Sequence, residues 1–515
     1  MNYTYKTIKN LFLQQSYLDS WEDYVRSLRK TSFIKWDYII LTASNEEQAA
    51  SYRQQLQYRL DRKLLPDSTK YAVLPDPDGK RVGSGGATFN VLRYIAEQEA
   101  SVSLNPFHNK RILVIHSGGD SKRVPQYSAC GKLFAPVPRE LPNGQASTLF
   151  DEFIIGMSGV PGRIQEGMLV VSGDVLLLFN PLQIDFQFRG AMAISIKEPV
   201  ETGKNHGVFL SDGKGYVDLF LHKQSEEHLK RLGAVNEQGN VDLDTGAIAL
   251  DAHMLNALYS LLCTDHTIDK RKYQAFVNER ARLSFYGDFL YPLAKSATLE
   301  QYCREAAEGT ICQELLDCRR QLWDVLQGFS LKLLCLSPAE FIHFGTTREL
   351  AALVTEGVNS YAFLAWKHMV MTNAELGGTC AVHTSRIDHG AVIGDGTYIE
   401  NSVISHDVEI GRGCVISNVD LDHVAIPDCV ALHGLVLKDG KYVVRIYNVL
   451  DNPKGKLEDN AGFLGTTLSA FLETYGLLVQ DLWPDQEPYL WFAKLYPVCD
   501  TMREAVAAAL DVCPS

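Results

Sequence analysis

Isoleucine recurs at positions 387, 393, 399, 404, 410 and 416, at steps of six, six, five, six and six, and I-G-x-G appears at Ile393 (IGDG) and Ile410 (IGRG). This is the hexapeptide rhythm of a parallel β-helix, in which each step turns one edge of a triangular coil and an aliphatic side chain points inward. Only four to six steps are visible, so the predicted left-handed coil is short. A few β-hairpins with glycine turns are the other reading of the same glycines.

Upstream the texture differs. Residues 1–30 carry Trp21, Tyr24, Val25 and Leu28 at helical spacing and predict a helical lead-in. The apolar run 36–42 (WDYIILT) reads as a strand, and Ser44 with Glu47 resembles a capping box opening a helix over 45–64, whose Ala49, Tyr52, Leu56, Leu60 and Leu64 share one face. Another strand-like run at 71–74 leads through PDPDGK to a helix starting near Ala87, and RILVIH (111–116) and MLVVS (168–172) are further strands. Strands alternating with helices over the first ~340 residues predict an α/β, Rossmann-like domain with a mainly parallel sheet covered on both faces. Such sheets bind ligands at the carboxyl ends of their strands, so the loops after Leu74, His116 and Ser172 are the first places to look. The expected division is a lead-in at 1–30, a catalytic domain at 31–375, the coil at 376–445 and a helical tail at 446–515, the last from Phe463, Leu464, Leu468, Phe471 and Leu472, with linker composition at 451–460.

A chain of 515 residues is too long for one ordinary core, which favours an enzyme over a small module. Its formal net charge of -13 is the wrong sign for coating a phosphate backbone, so nucleic acid is not an expected partner. No uncharged apolar run approaches the ~20 residues of a membrane helix, and the N-terminus lacks the basic-then-apolar pattern of a signal peptide. Eleven cysteines with no CxxC pair read as reduced thiols. A cytoplasmic protein with no membrane partner is expected.

The segment most suggestive of chemistry is 117–138, SGGDSKRVPQYSACGKLFAPVP, directly after the strand Arg111–His116. Gly118 and Gly119 let the backbone approach a phosphate, and Arg123 and Lys132 supply positive charge. That set suits phosphoryl or nucleotidyl transfer, in which catalysis is mainly positioning and electrostatics. Two glycines and a proline also make an ordinary strand-to-loop turn. A Walker A loop is excluded, because Gly131-Lys132 is followed by Leu133. The glycines 83–86 ahead of Thr88 (GSGGAT) form a second candidate anion loop at a helix N-terminus.

The pattern G-G-x-S-x-R-x-P, then G-K and P-x-P, resembles the nucleotidyltransferase loop of the GDP-L-fucose pyrophosphorylases, a branch of the sugar-1-phosphate nucleotidyltransferases. GSGGAT at 83–88, HGVF at 206–209, LHKQS at 221–225, YGDF at 286–289, FIHFGTT at 341–347 and the late WFAKLYPVC fall in that family's order. The wider superfamily's G-x-G-T-R is replaced here by Gly-Gly-Asp-Ser-Lys-Arg, which fits the fucose branch. The resemblance implies GTP plus β-L-fucose 1-phosphate giving GDP-L-fucose and diphosphate, with Mg²⁺, by in-line attack on the α-phosphorus. It implies that Arg123 holds the β and γ phosphates and that Lys132 sits near the α-phosphate. Asp174, in SGDV at a strand end, is the implied metal ligand, with Asp288 of YGDF as a second, and either aspartate also reads as structural. Lys223 is implied at the sugar phosphate, although Gln224 stands where the family has proline. His206, Gly207, Asp244, Thr245 and Gly246 match sugar-side loops. Gly83, Ser84, Gly85, Gly86, Thr88, Ser117, Gly118, Gly119, Ser121 and Gly173 are the implied nucleotide contacts. Asp120 would repel a triphosphate, so it points away or helps hold the metal.

Some relatives fuse this activity to an L-fucose kinase, whose P-x-G-x-G-L-x-S-S stretch is not found in this sequence. Other readings are the same chemistry on another sugar phosphate, such as mannose 1-phosphate, a non-catalytic regulatory subunit, or a β-helix acyltransferase. The intact set Arg123, Lys132, Asp174 and Lys223 favours the enzyme. The oligomeric state is open, with the coil as a possible subunit contact.

Overall fold

A computed structural model of the chain describes residues 5–100, 105–119 and 121–513, so the expectation for Asp120 lies outside the described residues. The chain forms two compact units, one of residues 1–119 and 152–342 and the other of 120–151 and 343–515. The stretch expected as a single domain over 31–375 is thus divided between them.

The first unit opens with helix α1 (Tyr5–Arg29), as the aromatic spacing predicts. Strand β1 (Tyr38–Ala43) is buried along its whole length. Helix α2 (Glu46–Asp61) buries Ala49, Tyr52 and Leu56 as expected, but its cap is one residue later than predicted. Asn45 accepts from Gln48 N–H, and the Gln48 side chain accepts from Ser44 N–H. Then follow β2 (Lys70–Pro75), α3 (Gly83–Glu99), β3 (Arg111–His116) and β4 (Gly167–Ser172). Strands β5 (Gly190–Pro199), β6 (Gly207–Ser211), β7 (Val217–His222), β8 (Asn240–Leu250) and β9 (Ser330–Leu336) complete a nine-stranded sheet.

The strand order is β7-β6-β8-β4-β3-β1-β2, with β5 joining β8 to β9. Pairs β1–β2, β1–β3, β3–β4 and β5–β9 are parallel, whereas β6 is antiparallel to both β7 and β8 and β8 is antiparallel to β4 and β5. The sheet is therefore mixed rather than mainly parallel. Its parallel half has the expected doubly covered core, in which Ile40, Val114 and Val170 pack with Phe89, Val91 and Leu92 of α3.

In the second unit, three parallel sheets stack around one apolar interior. One carries Ala381–His383, Tyr398–Glu400, Val415–Ser417 and Val430–Val436, the next Arg386–Ile387, Val403–Ile404 and Asp420–Leu421, and the third Val392–Ile393, Glu409–Ile410 and Ala425–Ile426. Ile387 pairs with Ile404, Ile393 with Ile410 and Ile399 with Ile416, so the predicted isoleucines stack on one another. The strand Tyr442–Asn448 crosses the expected border at 445 and closes the stack antiparallel to Val430–Val436. Beyond it the tail holds helices Leu468–Tyr475, Val479–Leu482 and Met502–Leu510, and Ala505, Val506 and Ala509 join the coil's interior. All eleven cysteines are free thiols. Among the described residues no helix is long and apolar enough to cross a membrane.

Candidate active site

The carboxyl ends of β1, β2, β3 and β4 converge on a cavity of about 240 Å³ lined by Thr42, Asp76, Gly83, Ser84, His116, Gly118, Gly119, Ser172, Arg282 and Tyr286, among others. Parallel strands aim their backbone ends and following loops at one crevice, and this cavity occupies it. Gly83, Ser84, Gly118 and Gly119 of the predicted nucleotide set are on its wall.

Residues 117–119 are pinned from three sides. The Ser117 hydroxyl donates to Thr42 O at 2.8 Å, the Tyr52 hydroxyl donates to Ser117 O at 3.0 Å, and the Gln48 amide donates to Gly119 O at 3.1 Å. Gly118 abuts the backbone of Ala43, so a side chain there would press on β1. Gly173 is similarly enclosed, since a Cβ would meet His116 O and Ser117.

The GSGGAT segment is not a loop. It is helical from Gly83, four residues earlier than expected, because the backbone at Arg282 and Leu283 lies against it. A Cβ at Gly83 would collide with Leu283 O, Gly85 N–H donates to that carbonyl at 2.8 Å, and Ser84 Oγ accepts from Phe285 N–H at 2.8 Å. Its glycines admit the protein's own chain, while Gly83 and Ser84 still face the cavity. Thr88 is buried below the wall, donating to Ser84 O and meeting His116 Nε2 at 3.1 Å.

On the other side of β3 the predicted metal and sugar residues form a continuous line. Ser172 Oγ donates to Asp174 at 2.8 Å. Ser172 abuts Gly246, whose positive φ of 71° and place in the bulge between Asp244 and Ala247 explain the glycine. Gly246 N–H donates to Asp244 at 2.9 Å, and Gly207 packs against Asp244 and the Phe220 ring. His206 O then accepts from Lys223 N–H at 2.9 Å, and Lys223 itself is exposed at the end of β7. Burial pushes the Asp244 carboxyl up to about 6, against the pull of Gly246 N–H. Thr245 is structural: it is buried and donates to Ile194 O.

Asp288 departs from expectation. In the π-helical turn Phe285–Phe289 its carboxylate points into the core, accepting from Arg319 Nε at 2.8 Å with one oxygen and from Ser284 N–H at 2.6 Å with the other. Both partners of the ion pair are 1% exposed. A carboxylate so committed does not fit a metal ligand. Its neighbour Tyr286 is the residue of that motif that reaches the cavity, donating to Gly246 O at 3.2 Å. Burial raises its phenol well above the ordinary value, and Asp244 and Asp174 add to the shift.

Ser121, Arg123 and Lys132 belong to the second unit. Ser121 is buried, with φ of 50°, and its carbonyl accepts from Val124 N–H. Arg123 is exposed, and its carbonyl accepts from Thr347 N–H at 3.0 Å. Lys132 Nζ donates to Gly345 O at 2.7 Å. Lys132 of the segment 117–138 is thus joined to FIHFGTT, two motifs far apart in sequence. Gly345 has no room for a Cβ between His343 and Glu349.

Sequence reasoning missed Thr42, Asp76, His116, Arg282 and Tyr286. The strand-end rule singles out the loop after Leu74, which is the signal for Asp76; Arg282 has none, because it is brought in by tertiary packing.

Residues 105–501 match the family model described as the fucose pyrophosphorylase domain. The chain is 30% identical to the fucose-1-phosphate guanylyltransferase of Mus musculus, over 93% of this chain and 86% of that protein. The Homo sapiens protein of the same name is also 30% identical, over 93% and 84%. A bifunctional fucokinase/GDP-fucose pyrophosphorylase of Arabidopsis thaliana is 27% identical over 90% of this chain and 47% of its own length.

Proposed function

Because this chain belongs to the fucose pyrophosphorylase family, we propose that it is a fucose-1-phosphate guanylyltransferase, making GDP-L-fucose and diphosphate from GTP and β-L-fucose 1-phosphate. The observation that carries the reading is the order of residues across the strand ends. Following the sheet from β7 to β2, one meets Lys223, then Gly207 and Asp244, then Asp174, then 117–119, then Thr42 and Asp76. A sugar phosphate, a transferring phosphorus and a nucleoside laid along this line each find suitable groups.

In that arrangement Lys223 takes the sugar phosphate, and His206, Gly207, Asp244 and Gly246 border the sugar. The backbone of 117–119 is held by Thr42, Gln48 and Tyr52, and the N–H groups of Ser117 and Gly118 donate to Thr42 Oγ1 at 3.1 and 3.3 Å, so a phosphate would take the place of that hydroxyl. Arg123 and Lys132 keep their motif-derived roles at the β,γ and α phosphates. The sugar-phosphate oxygen attacks the α-phosphorus in line, diphosphate leaves, and no enzyme nucleophile is required. Asp174 fits magnesium, being a partly exposed carboxylate just past the end of β4 that accepts from Ser172 Oγ, and that ion needs only one or two carboxylates besides water and phosphate. When bound, magnesium offsets charge on the phosphate oxygens. We also take the three-sided coil to be a left-handed β-helix, from its hexapeptide rhythm, and the protein to be cytoplasmic.

The test is diphosphate release with Mg²⁺ and GTP, ATP, UTP or CTP, crossed with fucose, mannose, glucose and N-acetylglucosamine 1-phosphates. The reading expects a response to GTP with fucose 1-phosphate; a response confined to another pair, or silence from folded protein, would overturn it.

A further inference from the structure

We propose that the carboxylate of Asp76 reads the guanine base, accepting from its N1–H and 2-amino group, and so selects the nucleotide; this rests on the reading of the crevice as a GTP site. Asp76 follows the last residue of β2, and its backbone N–H donates to Ala43 O at 2.8 Å, which fixes the residue at the strand end. Its side chain lines the cavity and accepts one long hydrogen bond, from Val82 N–H at 3.4 Å. A carboxylate offers about four acceptor positions, so this one hydrogen bond leaves capacity for a ligand in the cavity that Asp76 lines. Burial pushes this carboxyl up to about 7, against the Val82 N–H and the charges of Arg81 and Arg282, while Glu308 reinforces the shift.

The geometry favours the base over the phosphates. Strand β2 is separated from β3 by β1 alone. Neighbouring strands lie ~4.8 Å apart, so Asp76 stands about 10 Å across the sheet from residues 117–119, a distance that a nucleoside spans. A carboxylate would repel a triphosphate, whereas guanine presents two donors side by side. Adenine presents one donor beside a lone pair, which the carboxylate opposes.

His116 adds an acceptor to the same wall. The Thr88 hydroxyl donates to Ser84 O, so in its contact with His116 it accepts, and Nε2 carries the proton. That leaves Nδ1 an acceptor, and it is buried with no partner among the described residues. Burial holds the imidazole neutral by lowering it to about 3. The same wall thus offers two acceptors, the Asp76 carboxylate and His116 Nδ1, to a base that brings an amide N–H and an amino group, while Arg81 and Arg282 also line the cavity.

The experiment is calorimetric binding of GTP, ITP, XTP, ATP and 2′-deoxy-GTP to the full chain, wild type and Asp76→Asn, with Mg²⁺ and without sugar phosphate. Wild type should bind GTP about 10- to 100-fold more tightly than ITP or XTP, the scale of one bidentate base contact, and should tolerate loss of the 2′-hydroxyl. The amide of Asp76→Asn accepts from N1–H and donates to the 2-oxo group of xanthine, so the order of GTP and XTP should reverse. Unchanged order in the variant would overturn the assignment, as would equal weakening of every nucleotide. Wild type indifferent to the 2-amino group but sensitive to the 2′-hydroxyl would place Asp76 on the ribose instead and also overturn it. Reversal in a chain that makes no GDP-L-fucose would sink the reaction while leaving the base contact, so the two failures are distinguishable.

Discussion

Replacing Asp288 separates a structural carboxylate from a metal ligand. The Asp288–Arg319 pair is fully enclosed, and Arg319 also donates to Tyr302 O and Glu305 O at 3.0 Å, while the Tyr302 hydroxyl donates to Asp288 O at 2.6 Å. Asp288→Asn leaves the guanidinium buried without its counter-charge. Breaking one side of a buried pair costs about 3–5 kcal/mol, because the desolvation already incurred is no longer offset. At roughly 2 °C per kcal/mol for a unit of this size, the melting temperature should fall by about 6–10 °C. Arg319→Met should cost a similar amount, and the double replacement Asp288→Leu with Arg319→Met should recover part of it, since two apolar groups leave no unpaired charge. The assay pairs scanning calorimetry with a Mg²⁺ titration of diphosphate release. The structure expects lower melting and an unchanged Mg²⁺ requirement. Unchanged melting with a raised Mg²⁺ requirement would refute the argument and return Asp288 to the metal site.

Lys132→Ala and Asp174→Ala should each lower turnover by orders of magnitude with melting intact, and near-normal turnover in both would remove them from the chemistry. Lys223→Ala should mainly raise the KM for the sugar phosphate; unchanged saturation would end its role. Burial lifts Asp76 to about 7, so the folded state holds that proton more tightly than the unfolded chain, and the penalty for ionising it grows from about pH 4 to pH 7. Asp76→Asn should therefore melt higher than wild type at pH 8, by up to about 2 kcal/mol after solvent screening, and equally at pH 4; a gain independent of pH would contradict this. In the coil, Glu400 is 0% exposed and accepts from the hydroxyls of Tyr127, Tyr398 and Ser417 at 2.6, 2.8 and 2.7 Å. Tyr127→Phe removes a hydrogen bond to a buried charge-bearing group and should cost about 1.5–3 kcal/mol in urea unfolding; an unaltered midpoint would show the network to be idle.

Features set by local period were legible in the sequence. The isoleucine series predicts its own stacking, because each residue's neighbour is set by the repeat itself. The crevice followed from strand–helix alternation without any knowledge of its walls. Features set by distant packing were not legible. Ser44 and Asn45 are both good caps, and the choice of Asn45 carries no local mark. The start of α3 at Gly83 depends on Leu283, two hundred residues away. In YGDF the titratable Asp288 drew the functional reading, yet the π-helical turn sends it to Arg319 and turns Tyr286 to the cavity. The mixed sheet escapes this signal because the alternation shown by the strands up to Ser172 does not continue through β5 to β8, which follow one another with only short helices, Val200–Gly203 and Glu226–Arg231, between them.

The motif-rich stretch 117–138 shows why adjacency in sequence is a poor guide to what holds a site in place. Its first three residues belong to the first unit, where Thr42, Gln48 and Tyr52 fix them. From Ser121 onward the chain belongs to the second unit, where Thr347 binds Arg123 O, Gly345 binds the Lys132 ammonium and Glu400 binds the Tyr127 hydroxyl. The glycines and the cations of one motif therefore answer to different cores. Destabilising the coil through Glu400 bears directly on the segment that carries Arg123 and Lys132, whereas destabilising α2 bears on the backbone of 117–119. On the roles proposed for Arg123 and Lys132, in a reaction where positioning supplies most of the catalysis, the coil serves the site by holding that segment, without any subunit contact.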